Sequence, residues 1–114
     1  MYKFKIGKVN LSYNFADADC VEKYEAVMQK LGAAMDVLPK DVPYSAKIRY
    51  ICRAIFDVFN TLFGEGTDQK IFGGVCDMNA CNDALEQLIL AAQAADEENA
   101  KRFRSKAAKY TAVK

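Results

Sequence analysis

The chain contains no histidine. Its absence removes the commonest general base near neutral pH and the commonest metal ligand, and with them Ser-His-Asp and Cys-His catalysis. No apolar run approaches the roughly 20 residues that span a bilayer. The longest stretch, around Ile48 to Phe63, is broken by Arg49, Arg53, Asp57 and Asn60, so it reads as a core helix. There is no large excess of either charge. A net charge of +1 supplies no global field for nucleic acid or an anionic membrane. The opening Met1-Tyr2-Lys3-Phe4-Lys5 has no apolar signal-peptide core, which places the expected chain in the cytoplasm with reduced thiols.

Four cysteines stand at Cys20, Cys52, Cys76 and Cys81. The Cys76-x4-Cys81 spacing is wrong for a zinc knuckle, and no second pair or histidine accompanies it. No metal and no cofactor are expected. Cys52 lies on an apolar helical face and reads as core packing.

What is present describes one helical domain. The 114 residues are enough for a single core, and a hydrophobic fraction of 52% argues against wholesale disorder. The fold class expected is α+β, with an N-terminal hairpin over about 2–6 and 9–14. Main helices follow over about 19–36, 44–63 and 79–110, with a short helical turn near 67–72. A basic tail over about 105–114 is expected to fray from the single domain 1–114.

Each element has a local reason. Tyr2, Phe4 and Ile6 alternate with Lys3 and Lys5; the alternation resumes out of phase at Val9, Leu11, Tyr13 and Phe15. A type II′ turn at Gly7-Lys8 explains the shift and pairs Ile6 with Val9, Phe4 with Leu11 and Tyr2 with Tyr13. The apolar face of such a hairpin needs cover from helices or a second subunit, so a homo-oligomer is one expectation.

Asp17 and Asp19 offer N-caps for the first helix, whose stripe is Val21, Tyr24, Val27, Met28, Leu31 and Met35, with Gly32 a weak spot. The second helix begins near Pro43 or Tyr44. Its broad apolar face runs from Tyr44 through Ile48, Ile51, Cys52, Ile55, Phe56, Val58, Phe59 and Leu62 to Phe63, so it should be the most buried element. Asp77 or Asn79 caps the third main helix. Its stripe of Met78, Cys81, Leu85, Leu88, Ile89, Ala92 and Ala95 thins toward Phe103, Ala107 and Tyr110.

Between the second and third main helices lies a segment holding four of the six glycines. It fails both phosphate templates. A P-loop needs Lys and Ser/Thr after its second glycine, and a dinucleotide fingerprint needs glycine where Gln69 stands. It reads instead as a structural corner. Gly64 stops a helix in a left-handed conformation and Gly66 follows. Thr67 caps a short turn, Ile71 and Phe72 dock it on the core, and Gly73 ends it.

Most acids read as caps or solvated charges. Arg53 and Asp57 fit an ordinary exposed i,i+4 pair, and no constellation for catalysis is expected. The C-terminus is polarised. Asp96, Glu97 and Glu98 precede Lys101, Arg102, Arg104, Lys106, Lys109 and Lys114. Glu97–Lys101 and Glu98–Arg102 fit helical ion pairs. The candidate partner-binding residues are Lys101, Arg102, Phe103, Arg104, Lys106, Lys109 and Tyr110. Their dull alternative is a solvated helix end. Their other use is as a regulatory nucleic-acid-binding module, with Phe103 and Tyr110 stacking on bases. Near-neutral overall charge argues against that use.

The run Phe56-Asp57-x-Phe59-x-x-Leu62-Phe63-Gly64-Glu65-Gly66-Thr67, followed by Lys70-Ile71-Phe72-Gly73, resembles small proteins of phages and prophages in Gram-positive bacteria. Some of these sit among tail-morphogenesis genes and resemble tail assembly chaperones. The resemblance implies a non-enzymatic helper of tail assembly. Its implied partners are a helical tape-measure protein, or tail protein, and further copies of itself. No catalytic residue carries over.

Overall fold

The computed structural model describes residues 1–112, so Lys114 lies outside the described residues. The N-terminal alternation forms an antiparallel hairpin of β1 (Tyr2–Ile6) and β2 (Val9–Tyr13). Its register is Tyr2 opposite Tyr13, Phe4 opposite Leu11 and Ile6 opposite Val9. Gly7 has φ of 59°, and no non-glycine residue among the described residues has positive φ. That sign pattern belongs to type II′, because type I′ would need positive φ at Lys8 as well.

Four helices follow: α1 (Ala18–Asp36), α2 (Tyr44–Phe63), α3 (Thr67–Phe72) and α4 (Met78–Ala112). The fold is α+β. Asp17 is the N-cap of α1, its carboxylate accepting from the Cys20 amide at 3.0 Å. Asp77 caps α4, its Oδ1 accepting from the amides of Asn79 and Ala80 at 2.9 and 3.2 Å. These acids satisfy first-turn amides that have no partner within the helix.

The core sits around α2. Of the six largest fully buried side chains, Phe59, Ile55, Val58 and Cys52 lie on α2, while Leu88 and Cys81 come from α4. Tyr50 on α2 donates its hydroxyl to the Ala34 carbonyl at 2.8 Å, holding the end of α1 to it. The hairpin needs no second subunit for cover. Ile6 and Tyr13 are buried, and Phe63 from α2 meets Phe4 and Tyr13 at ring distances of 5.9 and 5.7 Å. Phe15 and Tyr24 extend that aromatic cluster, 5.7 Å apart. The hairpin's demand for cover thus gives no argument for an oligomer.

Several expectations need correction. Tyr44 does not join the buried face of α2; it is 68% exposed, one turn before the core begins. Gly64 does end α2, but with φ 106° and ψ 156°, an extended positive-φ conformation rather than the left-handed helical one. Thr67 is not the cap of α3. Gly66 holds that position with φ 89° and ψ −6°, and Thr67 is the first helical residue, its buried hydroxyl donating to the Gly64 carbonyl at 2.6 Å. The cap bond comes from α2, where Asn60 Oδ1 accepts from the Asp68 amide at 3.0 Å. Gly73 ends α3 in the left-handed conformation, and Phe72 docks on Phe56 and Phe59 at ring distances of 4.9 and 5.9 Å.

The buried seam of α4 is Cys81, Ala84, Leu88, Ala91 and Ala95, an alternating three-and-four spacing. Alanines on this seam let α4 approach the rest of the molecule closely. The next two positions of that spacing are Glu98 and Arg102, which are exposed and make an ion pair at 3.2 Å. The seam stops there, but the helix does not. The stripe expected to continue through Phe103, Ala107 and Tyr110 faces solvent. Over residues 105–112 of the basic tail the chain is helical.

Candidate functional site

The C-terminal third of α4 stands away from the body. Asn99 tethers α4 just before this point, its Nδ2 donating to the Phe15 carbonyl at 3.3 Å. Every residue from Lys101 to Thr111 is exposed. A helix of 35 residues is about 52 Å long, and the molecule measures 67 × 29 × 21 Å. The radius of gyration is 17.4 Å, against about 13 Å for a compact chain of this length. The protruding arm is the reason.

All seven candidate residues lie on this arm: Lys101, Arg102, Phe103, Arg104, Lys106, Lys109 and Tyr110. Phe103 and Tyr110 are 74% and 71% exposed. Seven residues apart, they occupy one side of the helix with Ala107 between them. Lys106 and Arg102 border that side. The arm is therefore an amphipathic helix whose apolar side is aromatic and whose flanks are basic. Where it leaves the body, a groove is lined by Met1, Tyr2, Phe15, Ala95, Asn99 and Arg102. Its lining is mostly polar and includes Lys3, Asn14 and the paired Glu98.

The corner residues Gly64, Gly66, Thr67, Ile71, Phe72 and Gly73 are used locally. They carry the backbone turns and the docking of α3, with Ile71 half-buried against the core. Arg53 and Asp57 are both exposed and form no ion pair, and neither do Glu97 and Lys101.

The thiols are placed as core rather than chemistry. Cys52 and Cys81 are fully buried next to each other at the α2–α4 contact. Burial pushes both thiols up, Cys81 far up; the hydrogen bond between them adds to the rise at Cys81 and opposes it at Cys52. Such thiols carry almost no thiolate near neutral pH. No group of His, Cys, Asp and Glu among the described residues has the arrangement of a metal site. No helix among the described residues is long and apolar enough to cross a membrane.

One functional feature escaped the sequence reading. The acids of α4 begin at Asp83 and Glu86, well before Asp96, and no Lys or Arg interrupts them until Lys101. A count of charge along the whole helix, rather than at its end, is the signal that finds it.

These features define a class: a small α+β domain with a protruding helical arm. The chain belongs to the family of unknown function DUF6673, whose family model matches residues 7–114. No curated protein and no solved structure matches the chain significantly.

Proposed function

We propose that the protein is a non-enzymatic interaction protein that binds a helical partner through the arm of α4. The observation that carries this is the pair Phe103 and Tyr110, two large aromatic side chains held in solvent on one side of a formed helix. Exposed aromatics with basic flanks are the composition of binding surfaces, in which aromatic residues and arginine dominate the energy. The partner that fits is a helix with an apolar stripe and acidic neighbours, received as helices are received in grooves.

The finer reading is a phage or prophage tail assembly chaperone acting in the host cytoplasm. Its client is then a tape-measure or tail protein, kept covered until the tail polymerises. The resemblance of the Phe56–Gly73 segment supports it. The proposal includes no catalytic step and no cofactor.

The experiment is coexpression with the tape-measure protein of the same phage. Copurification, and loss of it in a Phe103→Ala/Tyr110→Ala variant, is the expected result. A client whose recovery and solubility are the same with and without this protein overturns the chaperone reading. A second reading is favoured by the five bases of Lys101 to Lys109: a nucleic-acid grip. It requires affinity that falls steeply with salt. Absence of DNA and RNA binding at low salt removes it.

A further inference from the structure

Helix α4 is electrically divided. From Met78 to Ala100 it carries five acids and no base; from Lys101 to Ala112 it carries five bases and no acid. All ten side chains are exposed, and only Glu98 and Arg102 meet, across the boundary. The other eight have no ion-pair partner among the described residues. Of these, only Glu97 and Lys101 stand within helical reach of each other; the outer charges have no opposite charge within reach along the helix. Glu86 and Arg104 stand about 27 Å apart along the axis, several Debye lengths at physiological salt.

The charges also lie on a free side. At about 100° per residue, the side opposite the buried seam presents Asp83, Glu86, Leu90, Glu97, Lys101 and Arg104. Each of these is exposed, including Leu90 at 53%. This side is distinct from the one that carries Phe103 and Tyr110.

We infer that α4 pairs antiparallel with α4 of a second copy of this chain, along this side. The sequence fits the required two-fold symmetry. With the axis between Gln93 and Ala94, Asp83 faces Arg104 of the second copy and Glu86 faces its Lys101. Symmetry repeats both pairs, which gives four ion pairs between opposite-charged halves. The exposed Gln93 and Ala94 at the centre leave room for the helices to approach. A parallel pair would set acid against acid and base against base along the whole length. The two-fold contact closes on itself, so it makes a dimer and not a filament.

The test is sedimentation equilibrium of the full chain at low and high salt, up to about 100 µM. A dimer is expected at low salt, with Kd rising by roughly tenfold or more at high salt as the pairs are screened. Two charge reversals follow, Lys101→Glu/Arg104→Glu and Asp83→Lys/Glu86→Lys. Each alone is expected to be monomeric with unchanged helix content, and an equimolar mixture of the two is expected to dimerise. Rescue in the mixture separates loss of pairing from loss of folding. A wild-type monomer at low salt overturns the inference and leaves this side of α4 to a foreign helix. A dimer that survives both reversals, or a mixture that stays monomeric, also overturns it. The outcome is independent of the client reading, because Phe103→Ala/Tyr110→Ala leaves these pairs in place.

Discussion

The side chain of Asn60, in the last turn of α2, accepts a hydrogen bond at 3.0 Å from the backbone amide of Asp68, in the first turn of α3. One helix thus caps the next across a glycine corner. The cap residue of α3, Gly66, has no side chain to do this itself. Replacing Asn60 with alanine leaves a half-buried amide without its acceptor. The expected loss is about 1 kcal/mol in denaturant unfolding, as for a removed N-cap. Asn60→Asp should retain most of the stability, since a carboxylate also accepts and suits a helix N-terminus.

Two glycines should respond to alanine with opposite signs. Gly32 sits in the interior of α1, exposed, with open space where a Cβ would go. Gly32→Ala is expected to stabilise by roughly 0.5–1 kcal/mol through helix propensity and lost unfolded-state freedom. Gly64 also has open space, but φ of 106° with ψ of 156° is a region that essentially only glycine occupies. Gly64→Ala is expected to cost about 1–3 kcal/mol of backbone strain. Paired thermal melts of the two variants check both signs.

Asp17 links α1 to pH. The hydrogen bond from the Cys20 amide, chiefly, holds its carboxyl below the ordinary aspartate value. A folded-state pKa below the unfolded one means that the carboxylate's contribution is present at neutral pH. It is lost as the pH falls through the depressed folded value. In an Asp17→Asn variant the amide oxygen still accepts, but this pH dependence disappears. The stability gap between the two proteins should therefore shrink on acidification. An NMR titration of the Asp17 carboxyl should show the low midpoint directly.

The buried thiols give a kinetic prediction. Cys52 and Cys81 are fully buried and burial raises both, so an aromatic disulfide reagent should label neither in the folded protein at neutral pH. In denaturant all four cysteines should react. Rapid labelling of Cys52 or Cys81 under native conditions would show that α2 and α4 separate readily.

Phe59 and Phe103 separate stability from contact. Phe59 has no exposed surface and packs on Phe63 and Phe72, whereas Phe103 is 74% exposed. Phe59→Ala is expected to cost about 3–5 kcal/mol. Phe103→Ala should fall within about 0.5 kcal/mol of wild type, the range of surface changes. Equilibrium unfolding curves of both variants check the contrast.

Much of this was legible in the residues. The hairpin was, because the register, the phase shift at Gly7 and the turn type constrain one another. The two acidic caps and the glycine punctuation were legible for the same local reason. The misreadings are tertiary. Thr67 is a better cap residue than Gly66 by type, but Asn60 reaches across from α2, and no local pattern announces a side chain arriving from eight residues earlier. Phe103 and Tyr110 continue the apolar spacing of α4, yet spacing cannot tell where the body ends. Of the α4 seam, Cys81, Leu88 and Ala95 were on the expected stripe, whereas Ala84 and Ala91 were hidden by their small size. The arm's composition was readable; its isolation was not, because isolation is a property of the other elements.

The hairpin is tied to the far end of the sequence. Gly7 donates its amide to Gln87 Oε1 at 3.0 Å, and the carbonyl of Phe15 receives Asn99. Those bonds join residues 80 and 84 positions apart. The contacts of the hairpin are therefore completed only once α4 has been made. Until α4 has left the ribosome, the aromatic side of the hairpin has only α2 and the start of α1 to lie against. The domain closes late, by long-range contacts that slow folding and leave apolar surface open in the interval.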